Sequence, residues 1–259
     1  MSTTEMQGTP PTQPVDPELN LVLPGRGLPA GSAWGWIVEG WRLFVRAPLM
    51  WIVSIVVIFV IAIVVNFVPL IGTLAFQLFQ GVFGAGFVVA CRSLEKGGEF
   101  ELEHLFAGFT KRLGPLLVVG ALFLLGWIVI ALVFMAFVGL SILSAFMTGD
   151  PTTQMAALAA SAGSMIFGVL LMLALMVPLM AAYWFAPALV IMHDITPVAA
   201  MKESFFACFR NFIPFLLYGL VMTVAAFLAV LPFGLGLLVW VPVAIASTYV
   251  AYRQIFTEG

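Results

Sequence analysis

The sequence predicts an all-α membrane protein: a polytopic bundle of six transmembrane helices, arranged as three hairpins, each preceded by a short amphipathic interfacial helix. Three observations predict it. Of the 259 residues, 63% are hydrophobic and only 8% are charged, where a soluble domain carries roughly a quarter charged residues. Several uninterrupted apolar runs exceed the ~20 residues that cross about 30 Å of hydrocarbon. The cations fall between those runs in a strongly one-sided pattern. A transmembrane barrel is excluded, because its strands would alternate polar and apolar residues.

Residues 1–32 form a separate segment. It carries Pro10, Pro11, Pro14, Pro17, Pro24 and Pro29 and no helical periodicity. It reads as a disordered, Pro-rich cytoplasmic tail. It lacks the basic start and apolar stretch of a signal peptide. Residues 33–259 form the six-helix domain.

The expected spans cover about residues 48–68, 71–90, 113–147, 155–192, 213–231 and 233–251. Arg26, Arg42 and Arg46 precede the first, and Arg92 and Lys96 follow the second. Lys111 and Arg112 precede the third. Lys202 and Arg210 lie between the fourth and fifth, and Arg253 follows the sixth. With odd-numbered turns on one side and even-numbered loops on the other, all ten cations share one side. Asp150 is then the only charge opposite. Cationic residues stay on the cytoplasmic face, so both termini are expected in the cytoplasm of a bacterial inner membrane.

Trp34, Trp36, Trp41 and Trp51 cluster where the first span begins, and Tyr249 and Tyr252 where the last ends. Aromatic belts of this kind anchor helix ends at the headgroups. The third and fourth runs, 35 and 38 residues long, exceed one bilayer crossing, so they tilt and bend or project beyond the lipid. Pro178 and Pro187 are the kink points in the fourth, and a break is expected near Pro178.

The chain also repeats itself. Glu39-Gly-Trp-Arg-Leu-Phe-Val-Arg46-Ala-Pro48 resembles Leu105-Phe-Ala-Gly-Phe-Thr-Lys-Arg112-Leu-Gly-Pro115 and Glu203-Ser-Phe-Phe-Ala-Cys-Phe-Arg210-Asn-Phe-Ile-Pro214. Each is an aromatic, basic segment meeting a proline where an apolar helix begins. Such a helix lies in the headgroup layer, and proline suits the first turn of the next helix. The returning helices also end alike, at Arg92, His193 and Arg253. Arg42, Arg46, Lys111, Arg112, Lys202 and Arg210 are therefore candidate contacts for lipid headgroups or a partner protein; the plainer reading is that they only anchor the topology.

No catalytic or cofactor motif appears, and His104 and His193 have no neighbours at metal-ligand spacing. His193 beside Asp194 would serve as an acid–base pair, or else simply replaces the Arg of the other repeats. Cys91 and Cys208 read as packing residues. No basic stripe points to nucleic acid, and no soluble substrate is evident. Gln77 and Gln80 lie three apart on one helix face. They would line a path for a neutral solute or bond across helices. Ala156, Ala160, Ser164 and Gly168 form one small-residue face, and Gly81, Gly84 and Gly86 a second. Such faces suit the fold itself, a homo-oligomer or a membrane-protein partner.

The stretches Gly35-Trp-Ile-Val-Glu-Gly-Trp-Arg-Leu-Phe44, Ala90-Cys-Arg-Ser-Leu94, Phe185-Ala-Pro-Ala-Leu-Val190 and Ala200-Met-Lys-Glu-Ser-Phe205 resemble a family of uncharacterised bacterial six-span integral membrane proteins. More distantly, Ala-x-x-x-Ser-aromatic ahead of a basic residue looks like the membrane domain of some glycerophosphoryl diester phosphodiesterases. That enzyme's catalytic domain has no counterpart here. The resemblance implies a topology and a compartment without a reaction. The function expected is therefore non-enzymatic, in the envelope, as a scaffold or in lipid or partner interaction. The alternative is a transporter or channel for a neutral or lipid-like substrate.

Overall fold

The computed structural model describes residues 20–147 and 151–258. Its helices are α1 (Ser32–Arg46), α2 (Pro48–Asn66), α3 (Ile71–Glu95), a 3-10 turn (Leu102–Phe106) running into α4 (Ala107–Lys111), α5 (Leu113–Met147), α6 (Pro151–Trp184), α7 (Ala186–His193), α8 (Pro197–Arg210), α9 (Phe212–Val230) and α10 (Leu237–Phe256). No strand forms among the described residues, apart from one isolated bridge between Leu21 and Thr257. Five helical stretches are long and apolar enough to cross a membrane: α2, α3, Leu113–Leu140 of α5, Ala162–His193 of α6 and α7, and α9.

The remaining long helix, α10, is the least exposed. Pro242, Val243, Ala246, Ser247 and most residues from Tyr249 to Phe256 are buried. A helix surrounded by protein can hold Ser247, Tyr249, Tyr252 and Arg253 where a lipid-facing one cannot. Its lower apolarity follows from that central position.

The three repeats emerge as three equivalent corners. Ala47, Arg112 and Asn211 each take an irregular backbone conformation between a short helix and a long one. The prolines that follow, Pro48, Pro115 and Pro214, sit near the starts of α2, α5 and α9, where no intrahelical donor is missed. The helices that return, α3, α7 and α10, meet at the centre of the bundle.

The short helices do not pack mainly on their own repeat. α1 lies on α10, the 3-10 turn and α4 lie on α3, and α8 lies on α6 and α7. Each short helix therefore docks on the returning helix of the preceding repeat, and the first closes on the last. Seven residues before the corners stand Gly40, Leu105 and Ser204; six before Arg92 and Arg253 stand Gly86 and Ser247. A Cβ on Gly40 would sit 2.7 Å from the Ser247 nitrogen, and one on Gly86 would sit 2.7 Å from the Leu105 carbonyl carbon. The same close approach occurs twice, with glycine on opposite partners.

In the third repeat, Ser204 makes the approach differently. Its hydroxyl donates to the Ala181 carbonyl at 2.6 Å and accepts from the Phe185 amide at 2.9 Å. Those two groups would otherwise bond each other, four residues apart. The inserted hydroxyl opens the helical ladder between α6 and α7, two residues before Pro187. The break therefore falls at Phe185 and not near Pro178, which lies inside a continuous α6. A side chain inserted into the ladder is an established cause of kinking.

Two further expectations are corrected. Residues 20–31, assigned to a disordered tail, run along the end of α10: Val22 donates to Phe256 at 2.8 Å and Arg26 to Ile255 at 2.8 Å. Asn211, fully buried at its corner, accepts from the Leu28 amide at 2.7 Å and donates to the Arg26 carbonyl at 2.8 Å. Residues 1–19 of that tail lie outside the described residues, as does Asp150. Trp36 and Trp51, expected at the headgroups, are wholly buried, as are Tyr249 and Tyr252, whereas Trp34 and Trp41 are exposed. Trp51 stacks on Phe87 at 5.6 Å between centroids and meets Phe100 edge-on at 4.9 Å. The long third run is one helix: α5 has 35 residues against 19 in each of α2 and α9. The difference, 35 − 19 = 16 residues, is about 24 Å of extra helix.

Of the small-residue faces, Gly168 lies against Phe134 and Val138 of α5, and Gly81 against Tyr183. Both serve the fold. The side chains of Ala156 and Ala160 lie outside the described residues.

Candidate functional site

The cations gather at one end of the bundle, where the structure divides the six candidates into two sets. Arg46 donates to the Leu94 carbonyl at 2.6 Å, at the end of α3, where a positive charge also offsets the helix dipole. Arg112 pairs with Asp194, and Arg210 donates to the Gly25 carbonyl. Arg42, Lys111 and Lys202 are exposed and make no such bond among the described residues. Each repeat thus holds one cation tied to a backbone carbonyl or an aspartate and one that makes no such bond, and Arg46 and Arg210 stay exposed while bonded.

The matched helix ends Arg92, His193 and Arg253 converge. Glu95 accepts from Arg92 at 3.0 Å and from Tyr249 at 2.5 Å, and it pairs with Arg253. Arg253 reaches Glu39 of α1 at 2.7 Å. Two arginines and two glutamates form a neutral quartet joining α1, α3 and α10. Beside it, the Tyr252 hydroxyl and His193 Nε2 lie 2.6 Å apart. His193 and Asp194 face different partners, Tyr252 and Arg112, and do not form the acid–base pair suggested by their adjacency. The sequence marked Arg92, His193 and Arg253 as equivalent but gave no sign that they meet. Glu39 and Glu95 carried no signal beyond their own charge.

Two spaces open below this quartet. A chamber of about 220 Å³ lies between α3, α7 and α10, lined by Gln80, Gly84, Tyr183, Tyr249 and Tyr252 among others. A groove of about 720 Å³ runs between α6 and the α9–α10 pair, with Met176, Phe212, Leu216, Gly219 and Met222 in its walls. Trp184, Ile245 and Thr248 line both. Gln80 and Gln77 do not share a site: Gln80 faces the chamber, while Gln77 lines neither space.

Cys208 of α8 borders the groove and lies 3.6 Å from the Ala181 carbonyl. Burial pushes its thiol up to about 12, and only the thiolate is nucleophilic. Its pKa is raised, so the neutral thiol persists up to the folded value. Labelling by a membrane-permeant maleimide at pH 8 should be much slower in the folded protein than in denaturant. Equal rates, read by mass spectrometry, would contradict that burial.

These features define an integral membrane protein whose helices carry their charge at one end. A probable inner membrane protein of Burkholderia thailandensis is 29% identical over 243 residues, covering 88% of this chain and 89% of the relative. No family model matches, and no solved structure matches.

Proposed function

We propose that the protein is a non-enzymatic inner-membrane protein that binds anionic phospholipids at the cytoplasmic face through its three basic-aromatic corners. In this reading it has six spans in three hairpins, with both termini in the cytoplasm. The observation carrying it is the set of outward cations, Arg42, Lys111 and Lys202, one on each repeat, all exposed. Aromatic residues flank them, among them exposed Trp41, Phe106 and Phe206. Cations beside apolar rings suit the headgroup layer. The inner-membrane assignment follows the name of the Burkholderia relative and the one-sided cations.

The test is lipid retention by protein extracted from mixed anionic and zwitterionic bilayers and weighed by native mass spectrometry. At about 1 kcal/mol per cation near an anionic surface, each of Arg42→Gln, Lys111→Gln and Lys202→Gln should weaken anionic retention roughly fivefold. No preference for anionic lipid in the unaltered protein would sink the reading. Reporter fusions after Gly97 and Lys202 should report cytoplasm, and one after Met147 periplasm.

The second reading, passage of a neutral or lipid-like substrate, draws on the chamber beside Gln80.

A further inference from the structure

We propose that the groove and the chamber together form an intramembrane site for one neutral single-chain lipid. Its hydrocarbon chain lies along the groove, and its hydroxyl- or carbonyl-bearing head reaches Gln80 and Tyr183. The site is separate from the surface cations, so either role stands or falls without the other.

Size, polarity and charge point to that occupant. The groove wall on α6 runs from Leu173 to Trp184, and that on α9 from Phe212 to Ala226. Those stretches measure about 16 and 21 Å at 1.5 Å per residue. One leaflet of hydrocarbon is about 15 Å, half of the ~30 Å core, so the groove suits a chain of leaflet length. Its lining is almost wholly apolar, with Tyr218, Thr223 and Thr248 satisfied by backbone carbonyls.

Chain burial alone would not select a ligand, because the surrounding lipid is equally apolar. Selection falls to the chamber. There Tyr249 and Tyr252 are engaged by Glu95 and His193. The Gln80 amide and the Tyr183 hydroxyl have no hydrogen-bond partner among the described residues. Between them they offer both donors and acceptors. No charged side chain lines either space, so an ionised head would be buried unpaired and is disfavoured.

Two glycines make the site testable without disturbing the fold. A Cβ on Gly84, in the chamber wall, or on Gly219, in the groove wall, would meet nothing within 4 Å. The full-length protein in bilayers would be irradiated with a diazirine-bearing hexadecanol, and separately with the matching hexadecanoate at pH 8. The alcohol should label peptides from α6 and α9. Gly219→Trp and Gly84→Leu should each cut that labelling at least tenfold, and Gln80→Leu with Tyr183→Phe severalfold, with melting temperatures unchanged. Gly114→Trp, at another open glycine, should leave it intact. The proposal is overturned if both filling variants label like the parent. Equal labelling by the carboxylate also overturns it, as does a disulfide-linked dimer of Gly219→Cys, which would assign the groove to a second copy.

Discussion

Replacing Glu95 with Ala should lower the stability of the detergent-solubilised protein by about 3 kcal/mol, the range found on breaking a buried ion pair. Glu95 accepts from Arg92 and Tyr249 and pairs with Arg253. Its side chain is 19% exposed, against 13% for Arg92 and 27% for Arg253. Without it, Arg92 loses its carboxylate contact at 3.0 Å, Arg253 keeps Glu39, and the Tyr249 hydroxyl loses its acceptor. Glu95→Gln keeps the size and the tyrosine contact, so it should cost less. Glu99→Ala, four residues on and exposed, should stay within about 0.5 kcal/mol of the parent. Thermal and denaturant melts read all three. A Glu95→Ala cost as small as that of Glu99→Ala would mean that water screens the quartet and that it holds nothing together.

Gly40→Leu should be comparably damaging, through shape instead of charge. Even a Cβ there would lie 2.7 Å from the Ser247 nitrogen and 2.9 Å from its Cα. Backbone atoms cannot swing aside as a side chain can, so α1 must lift off α10. Overpacking costs about 1–3 kcal/mol, and lifting α1 also loosens Trp36, whose indole donates to Gln254 at 3.0 Å. Ser247→Gly should rescue Gly40→Ala only in part, because the close atoms include Ser247 backbone. Full rescue, or a Gly40→Leu protein that melts like the parent, would show that the helices do not approach as closely as described. Gly84→Ala, which meets open space, should be neutral apart from its helix propensity.

The ends of α2, α5 and α9 were legible because each follows a proline-marked corner and an unbroken apolar run. What faces inward was not. Lipid-crossing helices such as α2 and α5 are apolar all round, so their sequences lack the period that distinguishes core from surface. Trp36 and Trp51 illustrate it: a tryptophan near a helix end suits a headgroup belt or a core equally, and here α10 and Phe87 claim them. The break at Phe185 was invisible locally, since the hydroxyl that causes it comes from α8. The partners of the exposed Arg46 and Arg210 were not legible, because their acceptors are backbone carbonyls, which every residue carries. Gln80 was visible as a polar residue in an apolar run, whereas the chamber it faces exists only through the meeting of α3, α7 and α10.

The closure of α1 onto α10 also sets an order of events. The first helix made lacks its main partner until nearly 200 residues later, when the last one leaves the ribosome, so the nascent chain must carry an unclosed ring through its insertion. Loss of the last turn of α10 with Thr257 beyond it would strip acceptors from Val22 and Arg26 at the start of the chain as well as from its end. A break at either terminus would therefore be felt as the same defect at a single seam.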